Sequence, residues 1–89
     1  MKQTLINKIV KLLKTGEFYL DLLKPASGRL HIFYDKKTDD FIEEYWHEDP
    51  QFHDFDLRYR QAVTRRLLYK RLNTFRIMSM IKKRPRRRK

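Results

Sequence analysis

The 89-residue chain contains no cysteine, which excludes disulfides and thiolate metal sites and leaves nothing that calls for an oxidising compartment. Glycine occurs only at Gly16 and Gly28, too sparsely for a phosphate-cradling loop. A serine nucleophile elbow is also missing, and a cysteine nucleophile is impossible. Neither enzymatic activity nor a cofactor or metal is therefore expected. No apolar run approaches the roughly 18 to 20 residues that span a bilayer, and the N-terminus lacks the uninterrupted apolar segment of a secretory signal. The expected setting is intracellular and without a membrane partner: cytoplasmic, nuclear in a eukaryote, or inside a virion.

The most informative absence is that of acid from the last third. Residues 57–89 hold fourteen Lys and Arg and not one Asp or Glu. By contrast, residues 35–56 carry nine acidic and two basic side chains, and residues 1–34 two acidic and six basic. The segment charges are +4, −7 and +14, together the net +11. Such asymmetry implies separate electrostatic faces, and a run this basic implies a polyanionic or acidic partner that offsets its self-repulsion.

Apolar periodicity predicts a helix over 4–15. Leu5, Ile6, Ile9, Val10, Leu12 and Leu13 share an arc, with Thr4 as N-cap and Gly16 as the stop. From Glu17 the pattern alternates, which predicts a strand through Leu22 unless the helix continues through Leu20, Leu22 and Leu23. Residues 29–34 alternate again, with Leu30, Ile32 and Tyr34 on one side and His31 and Phe33 on the other. Phe41–Trp46 completes a hairpin across the polar turn 36–40. Asp49 then reads as an N-cap and Pro50 as a first helical residue, opening a long basic helix from Pro50 or Asp56 to Lys82.

The expected fold is thus α+β. An amphipathic helix, a small two- or three-stranded antiparallel sheet and a long basic helix form one domain over 1–83, followed by a flexible basic tail over 84–89 in which Pro85 ends the helix. Three strands followed by a helix resembles the order in small DNA-binding domains that read the major groove with a sheet. In those the sheet is basic, whereas here it carries Glu43 and Glu44.

On the expected helix, Phe52, Phe55, Tyr59, Ala62 and Val63 share one side, and Leu57, Leu68, Leu72 and Phe75 share nearly the opposite side. The packing face therefore rotates midway, with Asn73-Thr74 a candidate break. A row of Arg58, Arg65, Arg76 and Lys83, with Tyr69 beside it, would follow a phosphate backbone. The candidate nucleic-acid contacts are that row together with Arg66, Lys70, Lys82, Arg84, Arg86, Arg87, Arg88 and Lys89. Between Trp46 and Asp56, His47 and His53 lie among four carboxylates, but no spacing fixes both on one face, and the acids are better explained as caps and counter-charge.

These features point to a non-enzymatic protein that holds the sugar-phosphate backbone of DNA or RNA, as a ribosomal or other ribonucleoprotein, virion or mobile-element component would. The alternative is a protein-interaction module or inhibitor of a nucleic-acid enzyme, docking through an acidic hairpin at Asp39, Asp40, Glu43 and Glu44. The sequence leaves the oligomeric state open.

Overall fold

The computed structural model describes residues 3–24, 28–49, 51–52, 54–73 and 77–84, with the backbone alone at 23 and 24. Its order is α1 (Gln3–Lys14), β1 (Phe18–Lys24), β2 (Gly28–Asp35), β3 (Asp40–Asp49), β4 (Asp54–Val63), α2 (Arg65–Leu72), a 3₁₀ turn (Ile77–Met80) and β5 (Ile81–Lys83). The strands form one antiparallel sheet in the order β4-β3-β2-β1-β5. The expected small sheet with a long basic helix is therefore incorrect.

The error lies after Trp46. Residues 54–60 read Asp-Phe-Asp-Leu-Arg-Tyr-Arg, a strict polar–apolar alternation with the period of a strand. The residues assigned to the first half of a helix instead form β4, paired along the whole of β3 from Phe41↔Val63 to Asp49↔Asp54. Asp49 does not cap a helix: its carboxylate accepts the Gln51 N–H at 2.9 Å, an Asx turn that reverses the chain. Among the described residues of that segment, the α-helical part is Arg65–Leu72. Thr64 starts it, with its side-chain oxygen accepting the Leu67 N–H at 3.2 Å. Lys82 and Lys83, expected at a helix end, lie on β5, which pairs with β1 from Phe18↔Lys83 to Leu20↔Ile81.

The N-terminal helix closes as its sequence suggests. Thr15 and Gly16 donate their N–H groups to the Leu12 and Leu13 carbonyls, and Gly16 adopts φ 80°, a left-handed conformation that favours glycine. Its buried stripe, Ile6, Ile9 and Leu13, meets Leu20 of β1, Ile32 of β2, Val63 of β4, Leu68 and Leu72 of α2, and Ile77. Residues paired across neighbouring strands share a sheet face. Leu20, Ile32, Glu43 and Gln61 are so paired, and this is the face that both helices cover.

One charged side chain lies within that covered layer. Glu43 is fully buried, and its carboxylate accepts hydrogen bonds from Arg71 Nε at 3.0 Å, Gln61 Nε2 at 3.1 Å and the Tyr59 hydroxyl at 3.2 Å. Burial and the adjacent Glu43 carboxylate raise the pKa of the Tyr59 phenol, which keeps it a donor. The three partners come from β4 and α2, so this one acid ties three elements together.

Two expectations follow for stability. Leu13 has no exposed surface, and Leu13→Ala should lower the unfolding free energy by about 2–5 kcal/mol in urea titration. Arg71→Ala strands a buried carboxylate and should cost about 3 kcal/mol or more, whereas the isosteric Glu43→Gln should cost less. Combining the two changes should recover part of the Arg71→Ala loss, since the stranded charge is then gone.

Candidate nucleic-acid interface

The second face of the sheet is covered by no described element. Strand alternation sends to it Tyr19 and Asp21 of β1, Arg29, His31, Phe33 and Asp35 of β2, Asp40, the buried Ile42, Glu44, Trp46 and Glu48 of β3, Arg60 and Ala62 of β4, and Lys82 of β5. A bulge alters the alternation near one end. Tyr45 faces Tyr59 but Trp46 faces Leu57, so Arg58 is the extra residue. Leu57 and Phe55 consequently fall on the open face, where both are exposed.

Across four adjacent strands, Asp21, His31, Glu44 and Arg60 form a row of alternating character. The Asp21 carboxylate lies 3.3 Å from both Arg29 Nη1 and His31 Nε2, and Glu44 lies 3.6 Å from Arg60 Nη1. Glu44 also accepts from Trp46 Nε1 at 3.3 Å. Asp21 and Glu44 are therefore met by cations of the same face, whereas Asp35, Asp40 and Glu48, which alternation places there as well, have no cation within ion-pair distance among the described residues.

Phe33 stands beside this row. Its ring lies under two guanidinium groups, Arg84 at 5.0 Å and Arg60 at 5.7 Å from the centroid, both within cation–π range. Tyr19 packs edge-on against the neighbouring His31 with ring centroids 5.1 Å apart. Arg84 is held by the sheet itself, because its backbone N–H donates to the Glu17 carbonyl at 2.7 Å and so extends the β1–β5 pairing by one step. Two open hollows flank the Phe33 ring and share Phe33, Arg60 and Arg84 in their walls. The larger, about 560 Å³, also takes in Lys36 and Lys37 from the β2–β3 turn. That turn is fixed by the Asp35 carboxylate, which accepts the Lys37 N–H at 3.0 Å, and by a hydrogen bond from the Tyr34 hydroxyl to Asp39 at φ 57°.

The cations predicted as one helical row are dispersed. Arg58 is in the β4 bulge, Arg65 is on α2 and Lys83 is on β5, while Arg76 lies outside the described residues. Arg66, Tyr69 and Lys70 are also on α2, and Lys82 is on β5 beside Tyr19. Arg84 reaches the open face, whereas Arg86, Arg87, Arg88 and Lys89 lie outside the described residues. The row required an unbroken helix from Arg58 to Lys83, and the strand period of β4 removes it. Among the described residues, only Arg29, Arg60 and Arg71 of the lysines and arginines lie within ion-pair distance of a carboxylate.

The acidic residues predicted as a docking face are divided as well. Glu43 is buried beneath α2 and Glu44 is on the opposite side of the sheet with Arg60, whereas Asp39 and Asp40 are exposed at the turn. Pairing with the protein's own arginines therefore accounts for both glutamates. His53 lies outside the described residues, and among those described no group of three or more His, Asp or Glu side chains is arranged to hold a metal ion.

Sequence reasoning overlooked Phe33, Arg60, Lys36 and Lys37 as members of one site. The signal for Phe33 was present, since alternation in β2 sends it and His31 away from Leu30 and Ile32. Arg60 and Arg84 meet over Phe33 only because β4 and β5 return to the sheet on opposite sides of β2. Among the described residues no helix is long and apolar enough to cross a membrane. Comparison of the chain with protein-family models, curated proteins and solved structures finds no match.

Proposed function

We propose that the protein is a nucleic-acid-binding protein without catalytic activity, and that it holds the phosphate backbone through cations gathered at the open sheet face. The observation that carries this reading is the Phe33 cluster. Arg60, Arg84, Lys36 and Lys37 converge on one open hollow, and among the described residues only Arg60 of the four is matched by a carboxylate. The chain continues from Arg84 directly into Pro85-Arg86-Arg87-Arg88-Lys89, which adds four cations within five residues. A net charge of +11 favours association with a polyanion throughout.

In this reading β5 matters because it carries Arg84, and with it the start of the basic segment, to the open side of the sheet. Lys82 on the same strand adds a further charge beside Tyr19. Contacts of this kind recognise charge and spacing, so binding should be broad across sequences.

The test is a binding titration of the full chain against nucleic acid over a range of salt concentrations. The expected log–log slope is about −4 or steeper, and changing Arg84, Arg86, Arg87 and Arg88 to Gln should weaken binding across all sequences and flatten the slope. An absence of binding at ~0.15 M salt, with the chain folded, would sink this reading.

A further inference from the structure

We infer that the open face takes an unpaired strand, with a nucleobase stacked on Phe33 and its flanking phosphates held by Arg84 and by Lys36 and Lys37. The inference rests on the nucleic-acid reading above and specifies which form of nucleic acid the surface accepts.

Charge alone does not distinguish a single strand from a duplex. The aromatic groups do. Phe33 lies on a half-exposed strand position with guanidinium groups over its ring and open hollows on either side. A guanidinium plane on an aromatic face marks a surface that accepts flat, electron-rich rings, because bases stack on phenyl rings and on arginine planes alike. The Tyr19–His31 pair lines the second hollow together with Phe33, so the aromatic surface continues across β1 and β2. An incoming base would take the place of one guanidinium over Phe33, and that arginine would remain within reach of the adjacent phosphate.

A duplex cannot use these groups in the same way. Its base faces are stacked on one another, and its base edges lie at the bottom of grooves that a projecting helix or ribbon must enter. The open face offers five strands side by side, with short-range relief provided only by side chains. A face this broad meets the outer phosphates of a duplex and is wider than the helix or two-stranded ribbon that a groove admits. A lone nucleotide would also be poorly retained, because both hollows are open to solvent and each contact is weak by itself. A strand that repeats base and phosphate along the surface adds these contacts together. Of the nearby acids, Asp21 is matched by Arg29 and Glu44 by Arg60, while Asp35, which also lines the larger hollow, accepts the Lys37 N–H and is outnumbered there by Lys36, Lys37, Arg60 and Arg84.

The test measures fluorescence anisotropy of labelled oligothymidylate and oligouridylate of about twelve nucleotides, alongside a mixed-sequence duplex of equal length, at ~0.05 M salt. The full chain should bind both single strands roughly tenfold or more tightly than the duplex. Phe33→Leu keeps apolar bulk in the sheet but removes the ring, and should weaken single-strand binding about tenfold while leaving duplex binding unchanged. Phe33→Tyr, which restores a ring, should retain the wild-type preference, with thermal melts confirming that both variants are folded. Equal or tighter binding of the duplex, or a folded Phe33→Leu variant that binds single strands as wild type does, would overturn the single-strand inference and leave the nucleic-acid reading standing. No binding of the folded chain to any of the three probes would overturn both.

Discussion

A carboxylate with no exposed surface must be answered where it lies, and the way Glu43 is answered organises much of the chain. Tyr59 and Gln61 bring hydrogen-bond donors from β4, and Arg71 brings one from α2. A slip of β4 by one residue would turn both of its donors to the opposite face and leave Glu43 short of partners. Likewise, a rotation of α2 that lifted Arg71 away would strand the charge. Apolar contacts among Ile32, Val63, Leu68 and Leu72 drive the layers together, but they tolerate small displacements. The polar cluster is directional, so it fixes the register of β4 and the rotation of α2 relative to β3.

That fixed register has a consequence on the other side of the sheet. Because Gln61 faces Glu43, its neighbour Arg60 faces outward, opposite Glu44 and within reach of Phe33. The same alternation that buries Ile32 exposes His31 and Phe33. A sheet covered by both helices on one side is left with a second face whose composition is free to serve another purpose. Here that face carries rings and guanidinium groups together with Asp21 and Glu44, which are already paired, and this composition is what the proposal of a flat, anionic partner rests on.

The sequence was readable where the signals were local. Ile6, Ile9 and Leu13 identify the buried stripe of α1, and the Gly16 stop follows from a left-handed backbone that glycine adopts without a steric cost. Alternation over 29–34 identifies β2, and the aromatic and β-branched residues of 41–46 beyond the polar 36–40 turn identify β3. β4 was misread because Phe52, Phe55, Tyr59, Ala62 and Val63 also fall on one helical arc, and Asp49-Pro50 resembles a helix start. The alternation of Phe55, Leu57 and Tyr59 with Asp54, Asp56, Arg58 and Arg60 was the better guide to the strand, although the bulge at Arg58 puts Phe55 and Leu57 on the face opposite Tyr59. β5 had no comparable signal: Ile81, Lys82 and Lys83 are too few to show a period, and their pairing with β1 is a contact across nearly the whole chain. Of the candidate site, the basic character was legible, but its geometry was not, because Arg60, Arg84 and Phe33 come from three strands separated in sequence.

The arrangement also eases the electrostatic difficulty posed by fourteen cations without an acid in residues 57–89. On one continuous helix, like charges three and four residues apart would repel along its length, as Arg66 and Lys70 still do on α2. Folding divides the run. Arg58 and Arg60 are carried by β4, Arg65, Arg66, Lys70 and Arg71 by α2, and Lys82, Lys83 and Arg84 by β5 and its extension. Antiparallel pairing and the covered core then bring Arg60 and Arg71 to acids from residues 35–56, on opposite faces of β3. Glu43 and Glu44 thus serve as internal counter-charge for two cations of the basic segment, one on each side of β3. Of the described cations of this segment without a carboxylate, Arg58 lies in the β4 bulge, Arg65, Arg66 and Lys70 lie on α2, and Lys82, Lys83 and Arg84 lie along β5 and its extension, so the fold divides their repulsion without removing it.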